Sequence, residues 1–69
     1  MVLRNNLKKM IMKQLQISQK EFATRIDIHE QSLTRIIKGA NPSTELSLIM
    51  AKELGCKVEE IFWLEDTGE

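Results

Sequence analysis

The middle of the chain holds side chains that could do chemistry in two different ways. Asp27, His29 and Ser32 are the ingredients of a nucleophilic triad, in which a carboxylate orients an imidazole that activates a hydroxyl. A triad is a spatial arrangement with an oxyanion hole and a pocket, and closeness along the chain supplies neither. The reading is therefore of a protein that is not an enzyme. The second chemistry is hydrogen bonding to a partner. At about 100° per residue, Glu30, Thr34, Lys38, Gln31 and Arg35 fall within an arc of roughly 140° on one helix, with Leu33, Ile36 and Ile37 on the opposing side. Arg matches guanine, Gln matches adenine, Glu accepts from the cytosine amine, and Thr meets either a polar edge or a thymine methyl. The plainer reading of the same arc is a solvated amphipathic face. Metal and disulfide chemistry are limited by count: one Cys and one His cannot build a four-ligand zinc site or an intrachain disulfide. Cys56 occupies an apolar position and reads as a buried, inert thiol. Nothing implies a cofactor, a metal or a small-molecule ligand.

Helices must position that arc, and the spacing predicts them throughout. Leu3, Leu7, Met10, Ile11 and Leu15 recur at helical intervals. Met12 lies off this stripe. Ser18-Gln19-Lys20-Glu21 has the form of a capping box, flanked by Ile17 and Phe22 at staple spacing, so a second helix starts at Ser18 and ends near Asp27. Phe22, Ala23 and Ile26 face inward. Ile28 and Leu33 repeat the staple spacing and place the next N-cap at His29, a poor capping residue; Asp27 capping with Glu30 as its partner is the alternative. Gly39 ends this third helix as a C′ residue. Asn41-Pro42-Ser43 is a turn, and Ser43 caps a fourth helix carrying Leu46, Ile49, Met50 and Leu54 inward. Gly55 closes it. Val58, Ile61 and Phe62 form a short fifth helix, followed by Trp63, Leu64 and an acidic tail. Helices at about 18–26 and 29–38, separated by a few residues, suggest a helix-turn-helix, whose second member enters the major groove of DNA.

Length and charge set the frame. Sixty-nine residues allow one domain with a small core, so self-association would be a natural supplement to its stability. No leader-like segment and no span-length apolar run is read, which predicts a cytoplasmic, nucleoid-associated protein off the membrane. The formal charge of zero hides a division. Residues 1–38 hold eight bases and three acids, net +5, whereas residues 39–69 hold two bases and seven acids, net −5. Such asymmetry hints at one side that faces a polyanion. Trp63 and Leu64 lie beyond the core of so small a domain and read as a dimer seam, since interfaces are enriched in Trp.

Three stretches carry a resemblance: Ile17-Ser-Gln-Lys-Glu-Phe-Ala23, Ile28-His-Glu-Gln-Ser-Leu-Thr-Arg-Ile36 and Gly39-Ala-Asn-Pro-Ser43. Together they resemble the Cro/CI-type (XRE) helix-turn-helix regulators of bacteria and phages. The Leu46–Leu54 helix and Gly55-Cys-Lys-Val-Glu-Glu-Ile-Phe62 resemble that family's fourth and fifth helices. The resemblance implies an all-α fold, a compact five-helix, lambda-repressor-like DNA-binding domain over residues 1–69, with its helix-turn-helix unit at 18–38. It also implies a homodimer on double-stranded DNA, at a palindromic operator. By its length and ending the chain is most similar to the small stand-alone repressors of the cytolysin repressor type. These dimerise through a C-terminal region, here 58–66 with Val58, Ile61, Phe62, Trp63 and Leu64, and some carry short terminal β-strands at the dimer interface.

Carried over position by position, the resemblance assigns Gln19 to a phosphate and to bracing Glu30, the first reading residue. Glu30, Gln31 and Arg35 match base-contacting positions, and His29 matches a phosphate-contacting one. Lys38 and Asn41 touch backbone where the chain leaves the groove. Lys20, Ser32 and Thr34 complete the DNA-binding set. Asp27 departs from the Gly usual in the turn, at a site of positive φ that Asp tolerates better than most residues. Glu30 places a carboxylate where an amide or a base is common, and Lys57 replaces the usual hydroxyl cap of the fifth helix. A protein-interaction module that keeps the fold without reading DNA, such as an antitoxin or an antagonist-binding partner, is the other reading.

Overall fold

The chain begins with a strand, where the spacing of Leu3 and Leu7 predicts a helix. In the computed structural model, which describes residues 1–66, β1 spans Val2–Asn5 and pairs antiparallel with β2, Phe62–Glu65. The register sets Val2 opposite Glu65, Leu3 opposite Leu64, Arg4 opposite Trp63 and Asn5 opposite Phe62. Leu3 is therefore a strand residue and not part of the helical stripe. Pairing with the far end of the chain overrides the local period, since a strand gains its ladder bonds only from a partner. Asn5 then marks the boundary: its Oδ1 accepts the Leu7 amide at 3.0 Å, one of the donors that a helix start leaves free. The last three residues of the acidic tail, 67–69, lie outside the described residues.

Five helices follow among the described residues. α1 covers Leu7–Met10 and runs into a π-helical segment, Ile11–Leu15, that stops at Gln16 in the left-handed region with φ 55°. α2 covers Gln19–Arg25, and the Ser18 hydroxyl accepts the Glu21 amide at 3.0 Å as the capping box predicts. The Glu21 carboxylate turns instead to Arg25, at 3.5 Å. α3 covers Glu30–Ile37, with His29 as a backbone N-cap whose side chain makes no capping bond. α4 covers Thr44–Leu54, and Ser43 Oγ accepts the Leu46 amide at 3.1 Å. α5 is the single turn Val58–Ile61; Phe62 already belongs to β2. Lysine has no acceptor to cap with, so the Glu60 carboxylate caps α5 alone, accepting the Lys57 amide at 3.0 Å.

α2, α3 and α4 all stop in the same way. The chain turns through a positive φ at Asp27 (60°), Gly39 (123°) and Gly55 (69°). The amide beyond each turn bonds back into the last turn: Ile28 to the Ala23 carbonyl at 2.9 Å, Ala40 to Arg35 at 2.9 Å and Cys56 to Ala51 at 3.0 Å. These are Schellman endings, which satisfy carbonyls that the helix cannot. They keep the helices short and bring consecutive elements round one core.

That core is made of Leu7, Ile11, Phe22, Ala23, Ile26, Leu33, Ile36, Met50, Ala51, Leu54, Ile61 and Phe62. Two features differ from the sequence pattern. Ile49 faces solvent, because Leu46, Met50 and Leu54 already form the inward stripe of α4 and the small Ala51 fills the space beside it. Ile61 and Phe62 are spent on the subunit's own core, at 0% and 8% exposure, so Trp63 and Leu64, at 42% and 64%, are the outward members of the C-terminal segment. Cys56 is half-buried against the core, and burial, with Glu60 adding to it, pushes its thiol above the usual cysteine value. No helix among the described residues is long and apolar enough to cross a membrane.

Candidate nucleic-acid interface

The surface that could recognise a partner is built from α2, the Asp27 turn and α3. Small Ala23, which is buried, lets the two helices approach closely, and Phe22 and Leu33 fill the space between them and the body. A side chain at position 27 must tolerate φ 60°, which favours Gly, Asn or Asp over other residues. Only a few residues separate the end of α2 at Arg25 from the start of α3 at Glu30.

α3 divides cleanly. Leu33 and Ile36 are buried and Ile37 is half-buried, whereas Glu30, Gln31, Arg35 and Lys38 are exposed and Thr34 is half-covered. Glu30, Gln31, Thr34 and Arg35 line one shallow depression of about 400 Å³. The structure thus brings together four of the residues on the polar arc, on the side away from the core. Ser32 is half-buried at the margin of the arc, and Lys20, His29 and Asn41 are exposed around it, on α2, at the N-cap and past the Gly39 turn. Asp27 and His29 share a second depression with Thr24 and Ile28, and among the described residues no hydrogen bond links Asp27, His29 and Ser32. No group of His, Cys, Asp and Glu able to hold a metal is found among the described residues.

One bond ties α2 to the polar arc. The Gln19 carboxamide nitrogen donates to Thr34 Oγ1 at 2.6 Å. The resemblance has Gln19 bracing Glu30; here it braces the residue one helical turn further along the same face. Thr34 is held, its hydroxyl proton still free to donate outward. Glu30 is left without a cation partner among the described residues, but it stands in the first turn of α3, where the positive end of the helix dipole stabilises a carboxylate.

Asn5 was not legible as part of this surface. Its carboxamide reaches the end of α3, donating to the Ile36 carbonyl at 3.0 Å across 31 residues of sequence. No local spacing announces such a bond, because its partner is brought close only by the completed fold.

A helix-turn-helix family model (HTH_3) matches residues 8–61, from the first turn of α1 to the end of α5. No curated protein matches the chain. The matched region contains α2, the Asp27 turn and α3 as the paired helices of that motif, with α1, α4 and α5 supporting them. With the match spanning most of the chain and the paired helices in place, the protein belongs to the XRE-type helix-turn-helix family and is a DNA-binding regulator of that kind.

Proposed function

We propose that the protein is a sequence-specific repressor that binds a palindromic operator as a homodimer and works at the nucleoid. The observation that carries this reading is the outward arc of α3, where Glu30, Gln31, Thr34 and Arg35 line one depression while Leu33 and Ile36 anchor the helix from behind. Helix 29–38 lies in the major groove, with half-sites about one helical turn apart, roughly 10–10.5 base pairs centre to centre. Arg35 and Gln31 read purine edges and Glu30 accepts from a cytosine amine. Gln19, Lys20, His29, Lys38 and Asn41 hold the phosphates on either side, Ser32 and Thr34 supporting them, and these contacts position the protein without carrying sequence information. Trp63 and Leu64 form the seam between subunits; Val58, Ile61 and Phe62 pack behind them.

Selection of binding sites from a randomised duplex pool, at low and at physiological salt, tests the reading. Enrichment of a palindrome with salt-dependent affinity supports it; no enrichment at low salt sinks it. Zero net charge and the unpaired Glu30 favour a second reading, in which the same surface binds a basic segment of a protein partner, as an antitoxin would. Under that reading Glu30→Gln weakens the partner complex and the pool shows no preferred sequence.

A further inference from the structure

The C-terminal end of a helix leaves four carbonyls without intrahelical donors. At α3 the amides of Lys38, Gly39 and Ala40 serve Thr34, Ile36 and Arg35 at 3.0, 3.0 and 2.9 Å. The Ile37 carbonyl receives no backbone donor among the described residues, and here a side chain arrives from the other end of the chain. Asn5 Nδ2 sits 3.0 Å from the Ile36 carbonyl and 3.5 Å from that of Ile37. The opposite end of the same carboxamide accepts the Leu7 amide at 3.0 Å. The backbone that carries Asn5 is itself fixed: it pairs with Phe62 in the ribbon, and the neighbouring Asn6 amide donates to the Ile61 carbonyl at 3.1 Å. A single part-buried side chain thus joins the terminal ribbon, the start of α1 and the end of α3.

Leu33 and Ile36, with Ile37 packed beside them, set how deeply α3 sits. Apolar burial is non-directional, however, and fixes the tilt of a helix less strictly than a hydrogen bond does. Gln19 holds α3 by a hydrogen bond at Thr34, and Asn5 holds it by another at the C-terminal end. We infer that Asn5 is a positioning residue for base reading, whose carboxamide fixes the tilt of α3 against the terminal ribbon and so the angle at which Gln31 and Arg35 meet the base edges. The inference rests on the DNA-reading proposal above. Bidentate contacts survive only small errors of angle, on the order of 10–20°. Lysine contacts to phosphate are point charges on flexible stems and tolerate more. Loss of the clamp therefore removes discrimination before it removes attraction.

Two variants separate this role from simple folding support. Asn5→Asp keeps the acceptor for the Leu7 amide but turns an oxygen toward the Ile36 carbonyl, while Asn5→Ala removes both bonds and adds no charge. The affinities of the parent chain and both variants are measured for the selected operator and for a scrambled duplex. Hydrogen exchange of the Lys38, Gly39 and Ala40 amides is followed in the free protein. The clamp predicts that operator affinity drops about three- to tenfold relative to the scrambled duplex in both variants. It also predicts faster exchange at those three amides. An equal loss for both duplexes in Asn5→Ala, or unchanged exchange in the folded Asn5→Asp protein, overturns it. If the parent chain selects no operator, the DNA-reading proposal falls on its own, and the exchange measurement still decides whether the clamp exists.

Discussion

α3 and the terminal ribbon of β1 and β2 both turn side chains outward, but they arise by different means. α3 takes its bounds and its inward face from residues close to it in sequence: the Asp27 turn before it, Gly39 after it and Leu33 and Ile36 beneath it. Gln19 and Asn5 then reach it from further along the chain. The ribbon exists only because the two ends of the chain meet, Val2–Asn5 against Phe62–Glu65. Their outward surfaces differ to match. The arc of α3 is polar and lies in the half of the chain with net charge +5, while the ribbon exposes Trp63 and Leu64 in the half with net −5. A polar arc carrying Arg35 and Lys38 suits a hydrated polyanion, and an exposed apolar pair suits a second protein surface. The neutral total charge is thus a sum over two halves of the chain that carry opposite charge.

The sharpest way to break this comparison lies inside the C-terminal segment. Ile61 is fully buried, so Ile61→Ala costs about 2–5 kcal/mol through lost burial and the cavity left behind. A core this small supplies only about 3–5 kcal/mol, and urea titration should find the variant largely unfolded. Trp63→Ala, two residues on, should change the stability of the dilute subunit by about 1 kcal/mol or less. Sedimentation should instead show weaker self-association. Equal destabilisation by the two variants would mean that the division between inner and outer residues is wrong.

The next largest effects sharpen the other region. Arg35→Ala should cost about 1–3 kcal/mol on the operator and relax preference at one base position. Lys38→Ala should weaken all duplexes alike and lower the slope of affinity against salt by about one. Titrations at three salt concentrations separate the two patterns. Smaller still is the loss of the local cap of α2: Ser18→Ala removes the acceptor for the Glu21 amide and should cost about 1 kcal/mol in a thermal melt. The ribbon's own polar link should matter least. Arg4 and Glu65 meet at 2.9 Å, but both side chains are more than half exposed, so Glu65→Gln should shift stability by about 0.5 kcal/mol or less.

What was legible in the sequence followed the same division. The positive φ at Asp27 stands where the resemblance implies it, while the caps at Ser18 and Ser43 and the stop at Gly39 depend on a few neighbouring residues, and each stands where spacing and residue type place it. The polar arc of α3 was readable for the same reason. The strand at Val2–Asn5 was not, because Leu3 falls at helical spacing from Leu7 and only the distant β2 makes it a strand. The resemblance allowed for terminal strands without saying which residues form them. Burial of Ile61 and Phe62 was hidden likewise: both are apolar residues near a chain end, and whether they face the core or a partner depends on how the ribbon folds back. The reach of Gln19 to Thr34, and that of Asn5 to Ile36, depend on distances between elements that no local pattern encodes.

The central claim is that the outward arc of α3 reads base edges, and site selection repeated with Arg35→Ala tests it most directly. The account predicts that the variant recovers the parent's palindrome with preference lost at one position in each half-site, symmetrically placed, and retained elsewhere. Recovery of the parent's full operator by the variant would contradict it.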